Sequence, residues 1–206
     1  FKDRDDVFFA LDGKVDGSNT QADVTTQSFL GDLPALLHPD PKTVLIIGMG
    51  TGQTLGEILR FPVSRLDCAE ISPAMPHVAK FFGAINRRFW EDPRVHILRA
   101  DGRTVLRFSP ESYDLIVSEP SNIWCPGVAQ FFTREAFAEA RDRLAPGGVF
   151  CQWVHAYKME PEALRRILRS FLDVFGPGSS LWVSAPENAD VFLVAGPPGL
   201  GLDGGV

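Results

Sequence analysis

The apolar run Val44-Leu-Ile-Ile47, followed at once by Gly48-Met-Gly-Thr-Gly52, constrains this chain more than any other feature. Consecutive apolar residues with no polar alternation read as a strand buried on both faces, the habit of parallel sheets covered by helices. The glycines let the backbone turn tightly and approach a ligand, because no Cβ stands in the way. Residues 53–60 then continue as a helix whose first N–H groups have no partner inside the helix. A strand, a glycine turn and a helix in that order form either a plain βα connection or a ligand cradle. No Gly-Lys-Ser/Thr follows, so the turn is not a phosphate-binding loop of the nucleoside-triphosphatase kind.

Apolar and amphipathic segments alternate through the rest of the chain. Strands are predicted at 42–47, 64–70, 95–99, 113–118 and 149–153, and helices at 53–60, 73–89, 103–107, 133–144 and 160–175. Pro146-Gly-Gly148 is read as the turn into the fifth strand, and two closing strands at 181–184 and 191–195 as joined by a Pro-Glu-Asn turn. Five βα units and a final hairpin predict an α/β, Rossmann-like fold: a mostly parallel seven-stranded sheet covered on both faces, with one antiparallel strand at its edge. Ahead of it, the β-like run 7–11, Asp12-Gly13 and a second pair, Asp16-Gly17, predict a small N-terminal β-ribbon within residues 1–20. A helix at 21–38 ends at His38-Pro-Asp-Pro41. The main domain is assigned to 21–196, and the Gly-rich end, 197–206, reads as a flexible tail.

Composition narrows the function classes. At 206 residues and 45% hydrophobic, with 16 Phe and 4 Trp, this is one ordered domain. A formal net charge of −6 argues against broad nucleic-acid binding and suits a small cationic substrate. Three widely spaced cysteines, Cys68, Cys125 and Cys151, offer no metal site and no disulfide framework, which points to a reducing, cytoplasmic setting. No apolar run approaches the length of a membrane span. The chain opens on Phe1 with neither Met nor a signal peptide, as expected of a piece of a longer protein.

Carboxylates stand at successive strand ends. Glu70, 22 residues after Gly48, is placed to accept hydrogen bonds from ribose hydroxyls, as an acid at this distance does in doubly wound folds. The plainer alternative is a solvated strand end. Asp101-Gly102 is either a second nucleoside contact or the N-cap of the next helix. The fourth strand runs into Ser118-Glu119-Pro-Ser-Asn122-Ile-Trp124. Glu119 there can hold and deprotonate an amine, and Trp124 can wall a sulfonium centre or simply fill core. The glycine spacing is G-x-G-x-G and not the nicotinamide-type G-x-G-x-x-G. With the closing hairpin, this favours by analogy the S-adenosylmethionine-dependent transferase fold.

From about residue 14 to 196 the chain resembles the spermidine/spermine synthase (polyamine aminopropyltransferase) family. The resemblance is carried by Thr26-Gln27 ahead of Leu33-Pro34, by His38-Pro-Asp-Pro-Lys-Thr-Val-Leu-Ile-Ile-Gly48 and by Cys68-Ala-Glu70-Ile71. Asp101-Gly102 and Gln130-Phe-Phe-Thr133 complete it. It implies transfer of an aminopropyl group from decarboxylated S-adenosylmethionine to an amine, with methylthioadenosine released, no metal, and a homodimer built through the N-terminal ribbon. It carries Gln27, Gly48, Glu70 and Asp101 to the cofactor pocket, and the reading of the residues themselves sets Gly50, Thr51, Gly52 and Gly102 beside them. Glu119 takes the catalytic position and Asn122 and Trp124 the acceptor side, while Tyr157 and His155 either line the pocket near the acceptor or are plain loop residues. Thr51 stands where the family has an acid for the aminopropyl ammonium, and Glu119…Asn122 replaces an Asp…Asp pair. These departures resemble a divergent bacterial branch often fused behind membrane helices. They keep two alternatives open: methyl transfer from intact S-adenosylmethionine, and a non-catalytic nucleoside or polyamine sensor.

Overall fold

In the computed structural model, residues 2–3, 6–11, 13–156, 159–184 and 190–197 are described. Asp12, Tyr157, the Pro-Glu-Asn turn and the tail beyond 197 lie outside them.

The central strand is β4 (Thr43–Ile47). Val44 and Ile46 pack into one hydrophobic core, and Leu45 and Ile47 into the core on the opposite face. All four are essentially fully buried, and each such side chain contributes about 1.5–3 kcal/mol relative to exposure. The unalternating run is therefore a strand sandwiched between two helical layers, as its pattern demands.

The chain continues through α2 (Gln53–Ile58), β5 (Arg65–Ala69), α3 (Met75–Val78), β6 (Val95–Leu98), α4 (Gly102–Phe108), β7 (Tyr113–Ser118), α5 (Arg134–Arg141), β8 (Leu144–His155), α6 (Pro161–Phe175), β9 (Ser179–Val183) and β10 (Asp190–Ala195). Ahead of β4 lie β1 (Lys2–Asp3), β2 (Asp6–Leu11), β3 (Lys14–Ser18) and α1 (Gln21–Leu37). Seven strands form one sheet in the order β6-β5-β4-β7-β8-β10-β9, and β1-β2-β3 form a separate antiparallel sheet. From β4 the chain steps outward through β5 to β6, then returns to place β7 on the other side of β4. That reversal opens a crevice at the carboxyl ends of β4 and β7, where open α/β sheets bind ligands.

Four expectations need correction. β10 is the antiparallel strand, but it lies between β8 and β9, and β9 holds the edge. β10 is buried along its whole length, so its apolar sequence belongs inside the sheet. The helix expected over 73–89 is only α3 plus a 3₁₀ turn, Ala79–Phe82. Asn86 stops it. Its side-chain amide donates to the carbonyls of Ala79 and Thr51, both at 2.8 Å, and Arg87 and Arg88 then take left-handed backbone conformations. Pro146-Gly-Gly148 is a pairing irregularity inside β8, which already begins at Leu144. Asp16-Gly17 is not a turn. Phe9 pairs with Gly17 and Ala10 with Val15, so Asp16 is the extra residue of a β-bulge within β3.

Candidate active site

A cavity of about 430 Å³ occupies the crevice. The sheet's carboxyl edge forms its floor. Phe9 and Asp16 from the N-terminal sheet and Asp23 and Gln27 from α1 form its roof.

At one end lies the glycine loop. Gly48, Gly50 and Gly52 all have positive φ, the region in which glycine is tolerated best. A Cβ on Gly48 would run into the carbonyl oxygen of Glu119, and one on Gly52 into the ring of Phe89. One on Gly50 would meet only Glu119 Oε1, at 3.8 Å. Gly48 and Gly52 therefore serve the packing of the fold, and Gly50 keeps the cavity open.

Glu70 follows β5 and faces this loop. Its Oε2 accepts from Met49 N at 3.0 Å and its Oε1 from Ser72 N at 2.7 Å. Burial pushes its carboxyl up, and these backbone donors pull it back down. A carboxylate has about four lone-pair positions. The two amides fix its orientation and leave the others for a ligand's hydroxyls. Asp101 caps α4 through Thr104 N at 3.1 Å and also borders the cavity. Gly102 lets α4 sit against Ile47, whose side chain a Cβ would strike.

Thr51 is fully buried. Its hydroxyl donates to Gln27 Oε1, and Gln27 Nε2 donates to the Asp23 carbonyl at 3.2 Å. Thr51 and Gln27 thus form a neutral hydrogen-bonded unit.

Glu119 stands where the two ends meet. Its backbone N–H donates to Ile47 O at 2.8 Å, tying the exit of β7 to β4. Its Oε2 accepts from Thr54 Oγ1 of α2 at 2.7 Å. Desolvation pushes its carboxyl up to about 8. The Thr54 hydrogen bond opposes this, and the charges of Asp16 and Asp23 add to it. Lys14 lines the same cavity, but among the described residues no cation offsets the burial of Glu119, so the proton is held into the neutral pH range.

The end of the cavity opposite the glycine loop is built largely from residues that the sequence did not single out. Asp190, at the start of β10, accepts from Thr26 Oγ1 at 2.7 Å and from Trp153 Nε1 at 3.0 Å. It is 8% exposed, and burial raises its carboxyl. Asp16 accepts from Ser121 Oγ at 2.8 Å and Asn122 Nδ2 at 2.9 Å. Asn122 therefore borders the cavity as expected, with its amide turned to Asp16. Trp124 does not line the cavity. The turn closed by Cys125 N on Asn122 O, at 2.8 Å, carries it outward to 46% exposure. There it packs edge-on to His155, with the Lys14 ammonium over its ring. The tryptophan on the wall is Trp153. His155 is fully buried behind the loop, accepting from Ile123 N at 3.3 Å. Burial holds its imidazole down to about 4.

Residues 24–194 match the spermine/spermidine synthase domain. The chain belongs to this family. Within it, the chain is 31% identical to the polyamine aminopropyltransferase of Nitrosomonas europaea over 146 residues, covering 70% of this chain and 45% of that one. It is 32% identical to putrescine N-methyltransferase 2 of Nicotiana tabacum over 180 residues, covering 85% of this chain and 50% of that one. A spermidine synthase solved with the transition-state analogue AdoDATO superposes with a TM-score of 0.78 at 25% identity, over 92% of this chain and 64% of that one. The chain spans about half the length of these two curated relatives. Among the described residues, no helix is long and apolar enough to cross a membrane.

Proposed function

We propose that this synthase-family domain moves an aminopropyl group from decarboxylated S-adenosylmethionine to an amine acceptor. One observation carries the reading. A single cavity has a backbone-clamped carboxylate, Glu70, at its glycine-loop end, and a carboxyl pushed up to about 8, Glu119, where that end meets a second, acidic end.

The residues fit a sulfonium nucleoside. Gly50 leaves open space beside the backbone, and Glu70 retains acceptor positions for two hydroxyls. Such a nucleoside supplies an electrophilic carbon and a neutral thioether leaving group. The chain's own part is to bind, orient and move a proton. Glu119 takes one proton from the ammonium of the acceptor, so that the nitrogen lone pair is free to attack. Asp16, Asp23 and Asp190 supply the negative field that draws a cationic amine into the cavity. Catalysis then rests mainly on holding nitrogen and carbon in line.

Methyl transfer from the intact nucleoside is the second reading, and Thr51 favours it. An aminopropyl ammonium lying against the Thr51–Gln27 pair would meet no charge there. The putrescine N-methyltransferase relative bears on the same alternative.

Glu70→Ala tests the nucleoside half. Methylthioadenosine affinity measured by calorimetry is expected to weaken by roughly 2–4 kcal/mol, the scale of lost charge-assisted hydrogen bonds. The buried carboxylate also satisfies two backbone amides, so the variant is expected to lose about 1–3 kcal/mol of stability as well. Unchanged affinity in a folded variant would remove Glu70 from the nucleoside site.

A further inference from the structure

The N-terminal sheet was expected as a small β-ribbon serving a homodimer. Its bulge makes it part of the site. In a regular strand pair, side chains alternate between faces, and the extra residue of a bulge breaks that alternation and re-aims one of them. Here the extra residue is Asp16, and it is aimed at the cavity wall. Oδ1 accepts from both Ser121 and Asn122, residues more than 100 positions away in sequence. Oδ2 takes no hydrogen bond and Asp16 forms no ion pair among the described residues. The neighbouring ammonium on the same strand, Lys14, lies over the Trp124 ring.

We propose that Asp16 is the acceptor-recognition residue of this domain. Oδ1 holds the loop after β7 in place, and Oδ2 receives a cationic nitrogen of the acceptor. The inference rests on the amine-alkylating reading above and adds to it where the acceptor's charge is read. Lys14 also lines the cavity, but Asp16 has no ion pair among the described residues, and a cavity-facing carboxylate left so is the group that an ammonium relieves. The geometry also explains the amide at position 122. A carboxylate there would face Asp16 across the present 2.9 Å, where two negative charges repel. The negative charge at this corner comes from the ribbon, and the loop answers with a donor.

Asp16→Asn separates the two tasks. The amide oxygen can still accept from Ser121 and Asn122, so the loop stays latched, and only the charge is lost. The measurement is calorimetric titration of putrescine into protein saturated with methylthioadenosine. Wild type is compared with Asp16→Asn and with the exchanged pair Asp16→Asn/Asn122→Asp, and thermal melts confirm that each is folded. Asp16→Asn is expected to lose at least about tenfold in putrescine affinity, the scale of one charge-assisted hydrogen bond, with methylthioadenosine affinity unchanged within about twofold. The exchanged pair returns a carboxylate to the same corner and is expected to regain most of the loss. Equal putrescine affinity in wild type and Asp16→Asn, with methylthioadenosine still bound, overturns the assignment and leaves the nucleoside reading intact. So does an exchanged pair that binds no better than Asp16→Asn. A wild type that does not bind methylthioadenosine overturns the functional reading itself and this inference with it.

Discussion

Glu119→Gln is expected to lower turnover by at least about 10², the usual range of general-base assistance, with methylthioadenosine affinity held within a few-fold. The glutamine keeps the side chain's shape and an oxygen able to accept from Thr54, and it loses only the charge and basicity. The pH dependence makes the test sharper. The base form prevails above about 8, so wild-type kcat/KM should climb with pH through that region, and the step should vanish in the variant. Stability should move the other way. The native carboxyl binds its proton up to about 8, against 4.5 for an ordinary glutamate. The native state thus holds a proton that the unfolded state releases. Wild-type stability therefore falls as pH rises between those values and levels off above them. The variant has no such decline, and its melting temperature should exceed the wild type's by more at pH 8 than at pH 5. Loss of turnover with a pH-dependent gain in stability marks a residue kept for chemistry. Equal turnover in both proteins would remove Glu119 from the reaction.

Gly50→Val is expected to abolish nucleoside binding, weakening methylthioadenosine by more than about 100-fold. Of the three loop glycines, only Gly50 presents its missing side chain to open cavity space, with Glu119 Oε1 the nearest atom at 3.8 Å. The branched side chain would fill the space beside the backbone that the ligand uses. The positive φ of Gly50 also strains any substituted residue by about 1–3 kcal/mol. Gly50→Ala, smaller and less strained, is therefore expected to weaken binding in the same direction by less. Melts separate strain from occlusion. A folded valine variant with wild-type affinity would reduce the loop to a turn.

What was legible in the sequence is what is local in the structure. The strand β4, its glycine loop and Glu70 lie within one βαβ unit, and spacing alone placed them together. Five βα units were readable because buried parallel strands are written as continuous apolar runs. The acidic end of the cavity was not readable, for a physical reason. Asp16 meets Ser121 across 105 residues, and Asp190 meets Thr26 across 164. A lone acid before an apolar strand carries no local sign of such a partner. Asp16-Gly17 has the composition of a turn, and strand pairing overrode it. Asn86 shows the same override in a helix, where a side chain that bonds the glycine loop ends a periodic pattern that would otherwise run on. Trp124 misled because an aromatic residue beside an active-site loop can face either way. The turn at Asn122 decides it.

Whether this cavity alkylates an amine with an aminopropyl group is tested most directly by incubating the protein with putrescine and either decarboxylated or intact S-adenosylmethionine, and following products by mass spectrometry. Methylthioadenosine and an aminopropylated amine are expected in equal amounts from the decarboxylated nucleoside, with no transfer from the intact one. A methylated amine from intact S-adenosylmethionine, or nucleoside binding with no product from either, would contradict aminopropyl transfer.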